Sequence, residues 1–201
     1  MPESKPQQYR IGATLRTTDT ALLRGFAALH ASGCIDHIQV RVIPGGTFSR
    51  DLAAIAASGV PATIHAPHHG HGVNPCAPAA YDDRPLAEIK AHIELAMNQT
   101  FEAADTLGAE AIIIHAGWYE PGGRSAALDE FSRFLDRHFD PRLTLENLPA
   151  VFRGRPMLGT TAEELAALAG GRLQGFCLDF AHLYCAANYL KIPYPEALEP
   201  F

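Results

Sequence analysis

Six short apolar runs, spaced roughly thirty residues apart with a longer amphipathic run after each, constrain this chain more than any other feature. The apolar runs cover residues 9–15, 37–42, 61–66, 109–116, 142–147 and 173–180. They are β-branched or largely apolar, the mark of strands covered on both faces. Helices are expected at 18–31, 49–58, 84–107, 124–138, 160–169 and 181–191. The third is the clearest, because Leu86, Ile89, Ile93, Met97, Phe101, Ala104 and Leu107 recur at three- and four-residue spacing and make one stripe. Gly59, Gly108 and Gly170 stand where helices should stop, and Thr160 with Glu163 reads as a capping box.

Strict βα alternation means a parallel sheet, either doubly wound or closed into a barrel. A doubly wound nucleotide binder should carry GxGxxG after its first strand, and here that stretch reads GATLRTTDT. No GxxxxGK[ST] occurs either, so the expected fold class is α/β, a (β/α)8 TIM barrel formed by residues 1–201 as one domain. Such a barrel needs eight strands and about 250 residues. Six βα units are visible, so the last two units are expected to lie outside this chain. An open arc of six would otherwise leave two edge strands bare.

The composition excludes several classes of function. With 47% hydrophobic and 19% charged residues the 201-residue chain is an ordinary globular sequence and not a disordered one. A net charge of −6 argues against a general nucleic-acid coat and against anionic membranes. No apolar run approaches the ~20 residues of a membrane span, and the N-terminal stretch lacks a secretory signal. Cys34, Cys76, Cys177 and Cys185 form no CxxC pair, which fits a reducing, cytoplasmic setting.

In a TIM barrel, polar residues at the C-terminal ends of strands gather at one mouth. The third run ends in His65, the fourth in His115, the fifth in Glu146 and the sixth in Asp179, with His182 three residues further on. Any one of these alone would more often be a hydrogen-bonded core group. Together they place three imidazoles and two carboxylates at one end of the sheet. That donor set suits Zn²⁺, with Mn²⁺ or Fe²⁺ as alternatives, better than Mg²⁺ or Ca²⁺.

The same residues carry a resemblance. IHAP, IIIHAG, LTLEN and GFCLDFAHLYCAA resemble the successive strand-end motifs of the xylose isomerase-like TIM barrels, and are most similar to their endonuclease IV (AP endonuclease family 2) branch. The DxxH of Asp179 and His182 is the most specific piece, and Glu146-Asn147 the next. The resemblance implies a metal centre in which Glu146 bridges two ions, His65 and His115 hold one, and Asp179 and His182 complete others. It also implies further ligands beyond Phe201. The sequence departs from that branch at His68, where endonucleases carry Tyr, and it lacks their basic and aromatic DNA-clamping loops.

Four histidines crowd the stretch IHAPHHGHG, and only His65 stands where a strand should end. His68, His69 and His71 are expected in a mobile solvated loop. The competing reading sets His68 or His69 at the substrate mouth as an acid–base group or an outer metal ligand; a separate zinc site in the loop lacks the usual spaced partners. Trp118 is a candidate stacking platform, with buried packing as its equal competitor. Arg16 and Arg41 are candidates for a substrate phosphate or carboxylate. Asn147 would orient Glu146. His30, His37, His92 and His138 read as surface residues.

Three functions compete. The first is a metal-dependent hydrolase of a phosphodiester or related ester, with Glu146 and His68 as its catalytic residues. The second is a sugar or sugar-phosphate isomerase or epimerase with a single cation. The third is a sugar-binding barrel without catalysis. The substrate is expected to be a small sugar or phosphate-containing molecule. Nucleic acid is disfavoured by the charge.

Overall fold

A computed structural model describes residues 9–81, 83–173 and 175–201. Its first half alternates strand and helix: β1 (Gly12–Arg16), α1 (Leu23–Ala31), β2 (His37–Arg41), α2 (Phe48–Ala57), β3 (Ala62–His65) and α3 (Leu86–Leu107). Next come β4 (Ile112–Ile114), β5 (Gly117–Trp118), α4 (Arg124–Arg137), β6 (Leu143–Glu146), β7 (Val151–Phe152) and β8 (Arg155–Leu158). The chain continues with α5 (Ala162–Ala169), β9 (Gly175–Cys177), α6 (Phe180–Leu190) and α7 (Tyr194–Leu198). No described helix is long and apolar enough to cross a membrane.

Six strands make one parallel sheet in the order β1-β2-β3-β4-β6-β9. Its centre is driest. Ile112, Ile113 and Ile114 of β4 are all buried, and a fully buried residue of this kind contributes about 1.5–3 kcal/mol. In β2, Ile38 and Val40 are wholly buried in the core while Gln39 and Arg41, at the alternate positions, line the mouth. This strand, expected to be covered on both faces, is therefore apolar on one face only. The two end strands are more open, with Ile11 60% exposed beside β1 and Phe176 45% exposed in β9.

The helices stop where the glycines predict, with Gly59, Gly108 and Gly170 all at positive φ. The stripe on α3 is close to the expected one, since Ile89, Ile93, Met97 and Ala104 are buried while Leu86 is exposed. The first helix, expected from residue 18, begins instead as a 3-10 turn, Thr20–Leu22, ahead of α1. The capping box is displaced by one residue. Thr161 is the N-cap and accepts from Glu164 N, while the Glu164 carboxylate accepts from Thr160 N and Gly159 N.

Between β4 and β6 the chain departs from strict βα alternation. The segment after Ala116 leaves the barrel as β5 and pairs antiparallel with β8, which turns back on β7. The β7–β8 turn sets both Arg153 (φ 52°) and Gly154 (φ 80°) in the left-handed region, as a tight hairpin demands. Arginine seldom occupies such a position, which conceals the turn in the sequence. This small sheet covers one side of the mouth and brings Phe152 to it.

Candidate metal centre

The three central strands converge on Glu146. It ends β6 with a side chain 7% exposed. His65 Nε2 and His115 Nε2 each lie 3.3 Å from its Oε2, and His182 Nδ1 lies 3.2 Å from its Oε1. His65 comes from β3, His115 from just beyond β4, and His182 from the first turn of α6. All four of these side chains line a cavity of about 510 Å³ at the C-terminal ends of the strands.

Asp179 is the N-cap of α6 and accepts from His182 N at 2.8 Å. Its backbone is held by the fully buried Asn147. The Asn147 amide accepts from Asp179 N at 2.6 Å and donates to Asp179 O at 3.0 Å. Asn147 thus fixes the Asp179 backbone and, through it, the start of α6. Expected to orient Glu146, it gives its side-chain bonds to Asp179 instead.

The hydrogen bonds determine which imidazole nitrogens are free. A carbonyl can only accept, so His65 Nδ1–H donates to Ala66 O at 2.7 Å. In the uncharged form of this ring the lone pair would be on Nε2, which faces a carboxylate oxygen. Two acceptors facing each other at 3.3 Å repel unless a cation or proton lies between them. His182 Nδ1 likewise donates to Asn147 O at 2.9 Å, so in the neutral ring the lone pair is on Nε2. Backbone carbonyls anchoring one ring nitrogen are the usual companions of metal-ligating histidine. Both nitrogens of His115 are buried without a hydrogen-bond partner among the described residues. Orphaned nitrogens of this kind mark a place for an ion or water.

Charge follows the same pattern. Burial raises the Glu146 pKa, but contacts with His115, His182 and His65 outweigh it and hold the carboxyl far below the usual range. Burial drives the His115 pKa down despite Glu146, so this ring is neutral and offers a lone pair. His182 is also lowered by burial, yet Glu146 and Asp179 carry it above the ordinary value. Cys177 lines the cavity, where burial and Glu146 push its thiol up to about 12, so it is no thiolate nucleophile.

Ligand atoms of His65, His115 and Glu146 fall within 4.8 Å of one another, and so do those of Glu146, Asp179 and His182. The five residues singled out by their strand-end positions thus gather as two groups joined by Glu146. One group offers two imidazole nitrogens and a carboxylate, the other one imidazole nitrogen and two carboxylates, a mixed donor set that suits a borderline divalent ion such as Zn²⁺.

The other candidates divide. His68 and His69, expected in a mobile solvated loop, have their rings packed against His115 at the mouth, and a 3-10 turn, His69–His71, orders the loop. Burial first, then neighbouring imidazoles, lower His68 to about 2 and His69 to about 4. A ring with a pKa of about 2 is a weak base and carries no proton to donate as an acid at neutral pH. The acid–base role expected of His68 is therefore not supported by its surroundings. Arg41 lines the cavity, whereas Arg16 is paired with Asp19 at 2.7 Å, with its side chain 59% exposed, and does not line it.

Trp118 is buried in β5 and does not line the main cavity, although it lines a neighbouring pocket with His69 and Phe152. The Arg155 guanidinium stands 3.8 Å from its ring centroid and Tyr81 packs edge-on, so the packing alternative prevails. His138, expected at the surface, is buried against Phe134. Thr14, Gln39 and Phe152 also line the mouth, and sequence reasoning missed them. Gln39 and Arg41 carry a readable signal, as polar residues two apart in an otherwise apolar strand.

No protein-family profile and no curated protein matches this sequence. Solved structures do match in fold. A D-tagatose 3-epimerase-like protein superposes with a TM-score of 0.64 at 19% identity, over 96% of this chain and 71% of its own. Endonuclease IV from Thermus thermophilus gives a TM-score of 0.58 at 22% identity, over 95% and 71%. A third protein, also from Thermus thermophilus and in a crystal soaked with zinc chloride, gives 0.56 at 17% identity, over 87% and 68%. The fold is that of the xylose isomerase-like TIM barrels, represented here by a parallel arc of six strands.

Proposed function

We propose that this xylose isomerase-like barrel is a divalent-metal-dependent hydrolase acting on a phosphodiester or related ester. The observation that carries the reading is the position of Glu146, whose carboxylate is shared by the His65–His115 pair and the Asp179–His182 pair. Two ligand groups joined by one carboxylate suit a multinuclear centre, and endonuclease IV is among the proteins that share this fold. Ions held there would polarise the ester and offset the negative charge that develops on its oxygens.

The chain's own residues would do the rest. Glu146, kept anionic, supplies the charge that would retain ions between it and the His65 and His115 nitrogens. Asn147 fixes Asp179 against α6. Arg41, lining the same cavity, offers a permanent positive charge to an anionic substrate group. His69 and Phe152, whose rings are 5.0 Å apart, narrow the opening.

A second reading has its own support. A cavity of about 510 Å³ suits a monosaccharide, the chain is acidic, and sugar 3-epimerases share the fold. A single-ion isomerase or epimerase would use Glu146 and Asp179 as metal ligands, with His65 and His115 binding substrate hydroxyls. The deciding experiment assays Zn²⁺- or Mn²⁺-loaded protein on an activated aryl phosphodiester and on ketohexoses, alongside a metal count. Hydrolysis with two or more ions at the Glu146 centre is expected. Epimerisation with one ion would replace the first reading by the second.

A further inference from the structure

The His68–His69 loop contains chemistry that the Glu146 centre does not use. We propose that His68, His69 and His115 form an imidazole-only site for a late transition-metal dication, Zn²⁺ in the first instance, at the mouth of the cavity. This site would share His115 with the Glu146 centre, but it does not rest on the hydrolytic reading.

The geometry carries it. One nitrogen from each of the three rings lies within 4.8 Å of the others. His68 and His115 stack with centroids 5.1 Å apart, and His69 stands 4.9 Å from His68 and 6.1 Å from His115. His69 Nδ1 and both His115 nitrogens are buried without hydrogen-bond partners among the described residues. A buried polar group left unsatisfied is costly, and an ion accepting one lone pair from each neutral ring would relieve it. A neutral imidazole offers one lone pair, so His115 would serve this site and an ion beside Glu146 together only as a bridging imidazolate, its N–H proton passing to solvent.

The loop is also set in advance. Tyr81 Oη donates to His69 O at 2.7 Å, His92 Nε2 donates to His71 O at 2.9 Å, and Val73 N donates to His68 O at 3.3 Å. Little ordering entropy remains to oppose binding.

His68 is poorly served as it stands. Arg41 Nη2 lies 2.7 Å from its Nε2 and Gly70 N lies 3.1 Å from its Nδ1. Both neighbours are donors, while a neutral imidazole has one acceptor nitrogen, so only one contact can be a hydrogen bond. Arg41 has no carboxylate partner among the described residues, and its charge opposes any cation at His68. Ion binding there competes with Arg41.

Three neutral nitrogens and no oxygen select against Mg²⁺, Ca²⁺ and Mn²⁺ and favour Zn²⁺, Ni²⁺ or Cu²⁺. This preference separates the site from one containing Glu146 and Asp179.

The test is equilibrium dialysis of the metal-free chain against ZnCl₂, with bound zinc counted by atomic emission. The Glu146→Gln/Asp179→Asn double variant should keep one ion, and adding His69→Ala should remove it. In the otherwise unaltered chain, His69→Ala should lower the count by one. Arg41→Met should tighten this last ion by on the order of tenfold, from the removal of one neighbouring charge. A folded double variant that binds no zinc, a His69→Ala count equal to the parent's, or weaker binding in Arg41→Met would overturn the proposal. Should circular dichroism show the double variant unfolded, the His69→Ala count in the unaltered background decides. A double variant that binds as much zinc as the parent would instead refute the Glu146 centre.

Discussion

Glu146→Gln is the perturbation that bears most heavily on the site, because one carboxylate joins two ligand groups. The substitution keeps the volume of a side chain that is 7% exposed and removes the charge facing His65, His115 and His182. Removing a partner of a metal ligand costs 10–100-fold in affinity, so loss of a direct anionic ligand should cost at least about a hundredfold, or ~2.7 kcal/mol. Zinc at a hundred times its Kd stabilises the parent by about 2.7 kcal/mol, which for a chain of this size raises Tm by roughly 5–11 °C. The assay is thermal unfolding of metal-free protein with and without ZnCl₂. The parent should show that rise and Glu146→Gln a smaller one, limited to what the His68–His69–His115 site supplies, at the same zinc concentration. An equal rise in both would refute the claim that Glu146 holds the ions, and so would no rise in the parent.

Two further outcomes are expected from the same geometry. Asn147→Ala strands Asp179 N and O in a half-buried setting, so urea unfolding should show a loss of about 1 kcal/mol, and zinc should bind about 10–100-fold more weakly; unchanged values would mean that the Asn147–Asp179 bonds do not brace the site. In metal-free protein, the Glu146 pKa is held below its ordinary 4.5, so its contribution is present above pH 4.5 and lost as pH falls further. The His182 pKa is raised above 6.5, so its contribution is complete below pH 6.5 and lost as pH rises through the folded value. Urea unfolding across pH should therefore show an acid-side slope that Glu146→Gln flattens and an alkaline-side slope that His182→Gln flattens. Slopes that persist in the variants would assign them to other groups.

The barrel was legible because its signal is periodic. Apolar runs at a repeating interval specify βα units, and the end of each run specifies where a side chain meets the mouth. That rule located His65, His115, Glu146, Asp179 and His182 without any contact information. It failed for His68 and His69, since their polarity says nothing about the neighbouring surface. Rings that sequence alone places in solvent are packed against His115, and Tyr81 and His92 pin their loop. It failed also for Trp118, whose face is taken by Arg155 from a hairpin hidden by its Arg153–Gly154 turn. Arg16 and Arg41 pair in register at the ends of adjacent strands, yet only Arg41 lines the cavity, because Asp19 draws Arg16 away.

Anomalous diffraction at the zinc edge, on crystals of the zinc-loaded chain, tests the central claim directly. A peak is predicted about 2.0–2.2 Å from His65 and His115 nitrogens and a Glu146 oxygen. A second peak is expected beside Asp179 and His182. A difference map without density among these five side chains, or with zinc bound only elsewhere, would contradict the metal centre.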